Sequence, residues 1–370
     1  MAGDIVRYAV IGTGMMGHEH IRNLALVPGA EVVAYADPSS EQRWWTRQLV
    51  PDAEPFADVG ELLRRARVDA VVVASPNHTH AQVLEAVFES RLPVLCEKPL
   101  CTTVADALRV VERAERHPAL FQVAMEYRFM APIARLLEEV RSGRIGRLRM
   151  LAIREHRYPF LPKVGDWNRF ALNTGGTFVE KCCHFFDLMR LITASEPVRV
   201  YASAGMDVNH LDEVYDGQRP DILDNGFVTV DFDSGARALL DLCMFAEASR
   251  NEQEIAATGD AGKVECFIPE STLVVGQRNP RRIETHDIAV DADVLAAGAH
   301  HGATFVEHQR FREALVHGGP PAVGARDGLL AVAMGAAAER SAAEGRPVEI
   351  AEVFEANAPD AGAAPPRVGS

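Results

Sequence analysis

One short stretch of the printed sequence constrains the fold most strongly. Residues 8–11 form an apolar run, and Gly12, Gly14 and Gly17 follow in the spacing G-x-G-x-x-G before a pattern typical of a helix. A buried strand that enters a helix through glycines at this spacing is typical of a dinucleotide-binding βαβ unit. The sequence therefore predicts a Rossmann-type fold in this part of the chain.

Each glycine has a distinct expected task. Gly12 lets the chain turn tightly, Gly14 lets the backbone approach a pyrophosphate, and Gly17 allows the helix to pack closely on the strand. The N-terminus of that helix, at Met15 and Met16, presents free N–H groups and a partial positive charge. We predict that this segment binds the phosphates of a dinucleotide.

The second strand supports this prediction and indicates which dinucleotide is bound. It covers residues 31–36 and ends at Asp37, close to the ~20-residue offset at which an acidic side chain holds the adenosine ribose hydroxyls. An anionic Asp37 would repel the 2′-phosphate of NADP. NAD is therefore the expected cofactor, and NADP is the less favoured one.

The composition sets the scale of the fold and excludes some partners. With 370 residues and 48% hydrophobic content, the chain can build two cores. Its net charge of −14 argues against nucleic acid or an anionic membrane as a partner. No apolar run approaches ~20 residues, and no basic segment leads into an apolar one, so a cytoplasmic protein is expected. The six cysteines show neither a C-x-x-C pair nor a zinc-type spacing, so we expect reduced thiols and no metal site.

Strands and helices alternate up to about residue 128. Apolar β-branched runs predict further strands at 70–74, 93–96 and 120–124, with helices at 61–66, 81–90 and 105–116. Ligands of such sheets bind beyond the carboxyl ends of the strands. Ser75, Pro76, Asn77 and His80 follow one of these strands and are predicted to flank the nicotinamide half of the cofactor. Alternatively, His78 and His80 only cap the next helix.

The second half of the chain has a different pattern. Helices are predicted at 133–142, 177–192, 304–316 and 327–342, an extended stretch at 145–157, and strands at 198–202, 226–232, 237–244, 254–258, 263–268 and 272–275. Consecutive strands without helices between them imply a largely antiparallel sheet. The predicted architecture is therefore α/β, with an N-terminal Rossmann doubly wound parallel sheet in 1–128, a C-terminal α/β domain with a large, mostly antiparallel open sheet in 129–352, and a disordered tail in 353–370. The cleft between the two domains is the expected active site.

Lys98 directly follows the predicted strand 93–96 and lies between Glu97 and Pro99. A lysine at this position is either a surface charge or a cation aimed into the cleft. The carboxyl end of a parallel strand favours the second interpretation. Lys98 and Glu97 are therefore predicted to contact the cofactor, and Lys98 also the substrate.

A helix predicted from Thr177 onward carries the other candidate residues. On a continuous helix Glu180, His184 and Asp187 share one face, and Lys181 lies one step round from it. A carboxylate beside an imidazole orients the ring and raises its basicity, as a base for alcohol oxidation requires. Two structural alternatives stay open. Thr177 and Glu180 also fit a capping box, and His184 among phenylalanines also fits a satisfied core histidine.

Further polar and aromatic residues are weaker candidates. Trp167 and Asn168 lie in a polar, irregular passage, where they either stack on and hydrogen-bond a sugar or anchor a loop. Arg128 follows a strand end and either reaches the cleft or forms an interdomain salt bridge. His300 and His301 have no partner that the sequence suggests, and we expect them to be exposed to solvent.

Taken together, these segments resemble the glucose-fructose oxidoreductase / inositol dehydrogenase / rhizopine-catabolism (Gfo/Idh/MocA) family. The matching segments follow the family's order over almost the whole chain and are residues 11–17, 36–38, 75–80, 96–100, 127–129, 175–177 and 184–187. The sequence Glu97-Lys98-Pro99 is the most specific of them. The resemblance implies that Lys98 binds and polarises the reacting hydroxyl or carbonyl and that His184 exchanges its proton. The position four before that histidine is usually aspartate in the family and is Glu180 here, which suggests a subgroup distinct from typical inositol dehydrogenases.

The residue patterns and the resemblance together give the expected site. The residues expected to be catalytic are Lys98, His184 and Glu180. Those expected to contact the substrate are Lys98, Arg128, Trp167, Asn168, Lys181 and His184. Those expected to contact the cofactor are Gly12, Gly14, Met15, Met16, Gly17, Asp37, Ser75, Pro76, Asn77, His80, Glu97 and Lys98.

The predicted function is NAD-dependent hydride transfer to or from a secondary alcohol of a sugar, sugar derivative or cyclitol. Lys98 would stabilise the alkoxide and His184 would accept the hydroxyl proton, while Glu180 positions the imidazole or the substrate. Two alternatives stay open. The resemblance also covers enzymes that cleave glycosides through transient oxidation by tightly held NAD, and a non-catalytic NAD(H) sensor would keep the glycines and Asp37 without needing Lys98 and His184. The resemblance also implies a homodimer or homotetramer.

Overall fold

The computed structural model of the chain describes residues 5–298 and 300–357. It contains a six-stranded sheet and a nine-stranded sheet, each packed against helices. No helix within these two ranges is long and apolar enough to cross a membrane. All six cysteines are unpaired, as the sequence predicts, and five of them are buried.

The N-terminal part builds the six-stranded sheet. Its strands are β1 Val6–Ile11, β2 Ala30–Ala36, β3 Glu54–Phe56, β4 Ala70–Val73, β5 Val94–Glu97 and β6 Phe121–Ala124. Its helices are α1 Met15–Leu26, α2 Ser40–Leu49, α3 Val59–Arg65, α4 His80–Ser90 and α5 Val104–Arg116, and short 3₁₀ turns lie at Asn77–Thr79 and Glu126–Phe129.

The C-terminal part builds the nine-stranded sheet. Its strands are β7 Leu148–His156, β8 Pro197–Gly205, β9 Asn225–Phe232, β10 Arg237–Cys243, β11 Gln253–Gly259, β12 Gly262–Ile268, β13 Thr272–Arg278, β14 Arg281–Asp287 and β15 Val348–Glu349. Its helices are α6 Ala131–Arg141, α7 Ala171–Thr174, α8 Thr177–Glu180, α9 Cys183–Thr193, α10 Ala292–Ala296, α11 Ala303–His317, α12 Ala325–Glu344 and α13 Ile350–Ala356, and a further 3₁₀ segment covers Val164–Arg169.

The six-stranded sheet forms where the sequence is most apolar. All its neighbouring strands are parallel, in the order β3-β2-β1-β4-β5-β6. The central strand β1 is covered on both faces, because Tyr8 and Val10 pack with Phe311 of α11 while Ala9 packs with Leu62 of α3. This order is that of the doubly wound Rossmann fold, so the predicted fold class is confirmed.

The nine-stranded sheet has the order β14-β13-β12-β11-β7-β10-β9-β8-β15. β7 and β10 are parallel, with Ala152 opposite Leu239, and the other pairs are antiparallel. The prediction of a large, mostly antiparallel sheet is therefore confirmed. One face lies against helices, as the hydrogen bond from Ala202 N to Ser341 Oγ of α12 shows (2.9 Å). The opposite face exposes apolar side chains, notably Met150, Tyr201, Phe227 and Leu239.

The edge strand of the Rossmann sheet, β6, forms hydrogen bonds with a segment about 200 residues later in the chain. Val123 of β6 donates its N–H to the carbonyl of Val323 (3.1 Å), and Ala322 N donates to Gln122 Oε1 (3.0 Å). Gly328 of α12 then packs so closely that an added Cβ would lie 3.0 Å from Leu100 Cβ. The segment before α12 thus covers the edge that β6 would otherwise leave open.

The structure corrects the prediction of one continuous helix over residues 177–192. Lys181 N and Cys182 N both donate to the carbonyl of Thr177, at 2.9 and 3.4 Å, and α8 ends at this wider turn. A new helix, α9, starts at Cys183. One extra residue in a helical turn rotates the following side chains by about 100°. Glu180 and His184 therefore belong to different helices and do not share the face that the spacing predicts.

Part of the predicted disordered tail is helical. Residues 353–356 belong to α13 instead of being disordered, because Ile350 and Val353 bury their side chains in the core. Residues 358–370 lie outside the described residues. The predicted domain boundary at 128/129 stays a prediction.

Candidate active site

A cleft of about 700 Å³ opens at the carboxyl ends of β1, β2, β4 and β5 and is closed on its other side by residues of the C-terminal part. Twelve of the predicted site residues line it: Gly12, Gly14, Met15, Met16, Asp37, Ser75, Pro76, Asn77, Glu97, Lys98, Trp167 and Glu180. Six predicted residues lie outside its lining: Gly17, His80, Arg128, Asn168, Lys181 and His184. The cleft therefore has the place predicted for the active site, with a different set of side chains at one end.

One end of the cleft has the form of a phosphate site. Gly12 has φ +86°, and a Cβ there would lie 2.5 Å from Ser75 N, so this position requires glycine. A Cβ at Gly17 would lie 2.1 Å from the carbonyl oxygen of Gly12, which explains the close packing of α1 on β1. At Gly14, by contrast, a Cβ would meet no described atom within 4 Å. The open space in front of the N-terminus of α1 fits a pyrophosphate.

Asp37 lies at the end of β2 with its carboxylate held in place. Its Oδ2 accepts a hydrogen bond from Thr13 N (2.9 Å), and its Oδ1 accepts one from Ser39 N (2.8 Å). Two backbone donors fix the orientation of the carboxylate at the edge of the cleft. The remaining lone pairs are available to ribose hydroxyls, which is the geometry that a dinucleotide site requires.

Lys98 extends from the end of β5 into the other half of the cleft. Its N–H donates to Glu97 Oε2 (3.0 Å), and its Nζ lies 3.5 Å from the carbonyl oxygen of Glu180. Burial lowers the pKa of Lys98, but the neighbouring Cys183 and the carboxylates of Glu97, Glu126 and Glu180 outweigh it and raise the pKa above its ordinary value. Lys98 is therefore a fixed positive charge in the cleft.

Glu180 ends α8 and faces the same part of the cleft. Its side chain is only 5% exposed, and Oε2 has no hydrogen-bond partner among the described residues. The predicted alternative of a capping box is not formed, because Thr177 Oγ1 donates instead to the carbonyl of Leu223 (2.6 Å). Burial raises the pKa of Glu180 to about 7, although Lys98 and Lys163 oppose the shift. The carboxyl group is thus poised to gain or lose a proton near neutral pH.

His184 lies behind this wall of the cleft, with 1% exposure. Its ring stacks on Tyr127, with centroids 4.1 Å apart and planes 7° from parallel. Its Nε2 lies 3.5 Å from Glu126 Oε1, and its Nδ1 has no partner among the described residues. Burial and the charge of Lys98 hold the pKa of His184 well below its ordinary value. The imidazole is therefore neutral and faces Glu126 instead of Glu180.

Glu126 and His300 are functional candidates that the sequence analysis missed. Glu126 Oε1 also lies 3.6 Å from His300 Nε2, and His300 Nδ1 lies 2.7 Å from Glu19 Oε1. The expected solvent exposure of His300 and His301 is wrong, since both are partly buried and the His300 side chain is 20% exposed. No local signal pairs residues 281 positions apart, so the sequence alone could not reveal this contact.

A second buried chain of polar groups supports Lys98 from behind. Glu97 Oε1 lies 2.9 Å from His20 Nε2, and His20 Nδ1 lies 2.9 Å from His308 Nε2. Burial raises the pKa of Glu97, but His20 and Lys98 outweigh it and lower the pKa below its ordinary value. Glu97 is therefore an ionised carboxylate that fixes the backbone of Lys98.

His80 holds two loops of the cleft together from outside its lining. One ring nitrogen lies 3.0 Å from the carbonyl oxygen of Ser75 and the other 2.9 Å from that of Pro99. The ring is completely buried. His80 therefore positions the loops that carry Ser75 and Lys98, and the geometry gives it no direct access to a cofactor.

Lys181 and Arg128 were predicted to contact substrate, but both form buried ion pairs. Lys181 Nζ lies 2.7 Å from Tyr127 Oη and 2.8 Å from Glu155 Oε1. Arg128 forms a salt bridge with Asp187 and donates to the carbonyl of Ala322 (2.9 Å). For Arg128 this is the alternative of a structural salt bridge that the sequence left open.

The segment 162–167 forms the outer wall of the cleft next to Lys98. Trp167 lines the cleft and packs its ring against His78, with centroids 5.9 Å apart. Asn168 is buried and donates to the carbonyl of Leu161 (3.0 Å), so it anchors this loop. Lys163 also lines the cleft, half-buried, and sequence reasoning missed it because nothing distinguishes it within an irregular passage.

Comparison with known proteins agrees with this geometry. A family model described as the oxidoreductase family, NAD-binding Rossmann fold, matches residues 6–125, and one described as its C-terminal alpha/beta domain matches residues 138–350. The chain belongs to the Gfo/Idh/MocA oxidoreductase family. The resemblance predicted from the sequence motifs is thereby confirmed.

Individual Gfo/Idh/MocA relatives match along nearly their whole length. The chain is 29% identical over 354 residues to myo-inositol 2-dehydrogenase of Thermotoga maritima, covering 94% of this chain and 100% of the relative. It is 30% identical over 352 residues to inositol 2-dehydrogenase 1 of Saccharopolyspora erythraea, covering 93% and 96%. The crystal structure of a probable dehydrogenase from Thermotoga maritima superposes with a TM-score of 0.78 at 28% identity, covering 94% and 100%. The chain is therefore a full-length match to these oxidoreductases, with an NAD-binding Rossmann domain.

Proposed function

We propose that this Gfo/Idh/MocA protein oxidises a secondary alcohol of a sugar, sugar derivative or cyclitol, with NAD as the hydride acceptor. The observation that carries the proposal is the pair formed by Lys98 and Glu180 at the end of the dinucleotide cleft, one a fixed cation and the other a carboxyl group with a pKa of about 7. The relatives named as inositol 2-dehydrogenases support the substrate class.

The residues present fit a dinucleotide. The open space at Gly14 and the N-terminus of α1 would hold the pyrophosphate, and the carboxylate of Asp37 would hold the adenosine ribose. The loop at Ser75 would flank the nicotinamide, as its position beyond β4 suggests. When bound, NAD supplies the ring that accepts the hydride. The negative charge of Asp37 favours NAD over NADP.

Two polar side chains of the cleft have separate roles in the oxidation of the alcohol. The ammonium of Lys98 lies where it can stabilise the negative charge that develops on the substrate oxygen. Glu180 faces the cleft with an unpartnered oxygen and takes the hydroxyl proton. The sequence assigned this second role to His184, but its ring is enclosed behind the cleft wall and faces Glu126. In this proposal His184 is a positioning residue that holds the ring of Tyr127 and the carboxyl group of Glu126 in place.

We also propose that the exposed face of the nine-stranded sheet joins copies of the chain into a dimer or tetramer. Phe227 is 58% exposed and Met150 is 62% exposed on neighbouring regions of that face. Exposed apolar side chains in one contiguous area are typical of an interface. Replacing Phe227 by Glu is expected to lower the mass observed by size-exclusion chromatography with light scattering. An unchanged mass would remove this assignment.

The test of the enzymatic proposal is NADH formation with purified protein, NAD and a panel of cyclitols, aldoses, amino sugars and glycosides. A rise with one compound class is expected, and Lys98→Met should abolish it while retaining NAD affinity. Arg116→Met is the control, because Arg116 lies at the end of α5 and pairs with Glu112 (2.7 Å) on the surface, away from the cleft. Release of sugar from a glycoside without free NADH would instead show glycoside cleavage. Bound NAD without any product from the panel would favour the sensor.

A further inference from the structure

The chain uses lysine very sparingly. Of its 38 Lys and Arg residues only four are lysine: Lys98, Lys163, Lys181 and Lys263. Lys98 and Lys163 line the cleft, and Lys181 lies buried behind it, hydrogen-bonded to Tyr127. Arginine thus supplies nearly all other positive charge, and three of the four lysines are concentrated at one site.

The distinction matters because the two cations are not interchangeable. Lysine carries a compact point charge on a flexible stem, whereas arginine carries a planar fork that forms paired hydrogen bonds. In this chain arginine forms almost all surface ion pairs, such as Arg199 with Asp231. Lys163 departs from that usage at a position that faces the cleft. Lys163 is therefore placed to serve a ligand group that needs a single point charge.

The ammonium of Lys163 is unpaired within the part of the chain that the structure describes. No hydrogen bond or ion pair joins its Nζ to any atom of residues 5–298 or 300–357. Burial and the charge of Lys98 lower the pKa of Lys163, whereas Glu180, which also lines the cleft, opposes the shift. A half-buried ammonium without a counter-ion is unfavourable, so a bound ligand is expected to neutralise it.

The charges at this end of the cleft indicate what kind of ligand does so. Lys98 and Lys163 are both positive, and Glu180 is the single carboxylate that lines the cleft beside them apart from Glu97, which His20 already pairs. Once Glu180 carries the substrate proton, Lys163 loses its main favourable charge, whereas Lys98 keeps those of Glu97 and Glu126. A neutral polyol would not supply the missing charge at Lys163.

We propose that the substrate carries a carboxylate that binds Lys163 while its secondary alcohol lies against Lys98 and Glu180. The substrate class is then an acidic polyol, such as an aldonic or uronic acid. This inference rests on the proposed function and narrows it. A carboxylate is favoured over a phosphate because Lys163 is one ammonium, with neither a helix N-terminus nor an arginine fork beside it in the cleft lining.

The test compares matched acids and neutral compounds as substrates. NADH formation is measured with glucuronate against glucose, galacturonate against galactose, gluconate against glucitol, and sugar phosphates as a separate arm. The acids are expected to show a kcat/KM at least about tenfold above their neutral partners. Lys163→Met should remove that ratio through a higher KM, and Lys163→Arg should restore part of it. Arg116→Met is the control and should leave the ratio unchanged.

Several outcomes would overturn the proposal. Equal or better use of the neutral compounds by the native protein would do so, as would a preference for sugar phosphates. A Lys163→Met variant that kept the preference, or that weakened NAD binding in calorimetry without changing the preference, would show that Lys163 serves another group.

A binding measurement separates this inference from the proposed function. If no compound yields NADH, the same acids and neutral compounds are titrated into the NADH-loaded protein by calorimetry. Tighter binding of the acids that is lost in Lys163→Met would support the carboxylate site although the redox proposal had failed. Binding without any preference for the acids, or no binding of any acid, would contradict it.

Discussion

The carboxylate that faces His184 is that of Glu126, whose Oε1 lies 3.5 Å from the imidazole Nε2. The same oxygen lies 3.6 Å from His300 Nε2, so Glu126 is enclosed between two imidazoles. Burial raises the pKa of Glu126, whereas His300 and Lys98 oppose the shift. Because both of its oxygens lack a hydrogen-bond partner among the described residues, its ionised form acts on its neighbours mainly through charge.

This arrangement predicts a change in the titration of His300 when Glu126 is replaced. Burial lowers the pKa of His300, but Glu126 and Glu19 outweigh it and raise the pKa above its ordinary value. Glu126→Gln removes one of these charges, so the midpoint of His300 in a histidine NMR titration should move to lower pH. Glu313→Gln on the exposed part of α11 should leave it in place. A midpoint that does not move in Glu126→Gln would show that the charge does not reach His300.

Glu180 should determine how the oxidation rate depends on pH. The burial that raises its pKa to about 7 means that the carboxyl group is protonated below that pH and cannot accept a proton. The rate of alcohol oxidation should therefore fall as the pH decreases through about 7. Glu180→Gln should lower kcat by ~10²-fold or more and abolish this dependence, whereas Glu180→Asp should retain part of both. A similar pH profile in Glu180→Gln would return the role of base to another residue, with His184 first.

Two glycines of the same motif should respond differently to alanine. At Gly17 the new Cβ would lie 2.1 Å from the carbonyl oxygen of Gly12, so Gly17→Ala should destabilise the fold by about 1–3 kcal/mol. At Gly14 the Cβ meets open space, so Gly14→Ala should keep the melting temperature of the free protein. That methyl group occupies the space that a pyrophosphate would use, and the affinity for NAD should fall by about tenfold. Thermal melting with and without NAD measures both effects, and equal losses in both variants would refute the distinction.

Asp37 should decide between the two nicotinamide dinucleotides. Asp37→Ser removes the negative charge beside the ribose site while Ser39 and Thr13 keep their backbone positions nearby. The ratio of kcat/KM for NADP to that for NAD should rise by about tenfold, since the repulsion of the 2′-phosphate is lost. Asp52→Ser, at an exposed turn, is the control. An unchanged ratio in Asp37→Ser would remove the argument for NAD.

The salt bridge between Arg128 and Asp187 should contribute to stability more than surface ion pairs do. The side chains are 10% and 1% exposed, so Asp187→Asn would leave a buried guanidinium without its main partner. The free energy of unfolding in urea should decrease by about 3 kcal/mol. In Glu112→Gln, which breaks the exposed pair with Arg116, the decrease should be within about 1 kcal/mol. If the free energy of unfolding decreased equally in both variants, the buried salt bridge would not be the reason for Arg128, and a role in the cleft would be tested next.

The parts of the fold that were predictable from the sequence are those whose signals are local. β1 and β4 are apolar runs buried on both faces, and their neighbouring glycines and Asp37 stand at fixed offsets. β3 and β14 were missed because they are short or largely exposed, and only pairing with a neighbouring strand makes them extended. The break after Glu180 was also missed, since periodicity cannot distinguish a continuous helix from one with a single extra residue.

The same distinction applies to the candidate site. The cofactor end was predictable because one βαβ unit supplies it. At the other end, Glu126 and His300 come from separate segments whose proximity arises only in the folded chain. Lys163 reaches the cleft from an irregular passage that carries no periodic signal. His300 was expected to be exposed because its partner, Glu19, lies in α1 at the other end of the sequence.

The hydrogen bond from Val123 N to the carbonyl of Val323 joins two segments that are 200 positions apart, and this separation affects how the chain folds during synthesis. During synthesis, strands β1 to β6 emerge well before the segment that closes the edge of β6 and before α11, which supplies Phe311 to their core. Until then the nascent sheet has an open edge and an uncovered face, both of which favour association with other chains. A fragment that stops at residue 128 should therefore aggregate, and chaperones should be needed until ribosomes have completed α12.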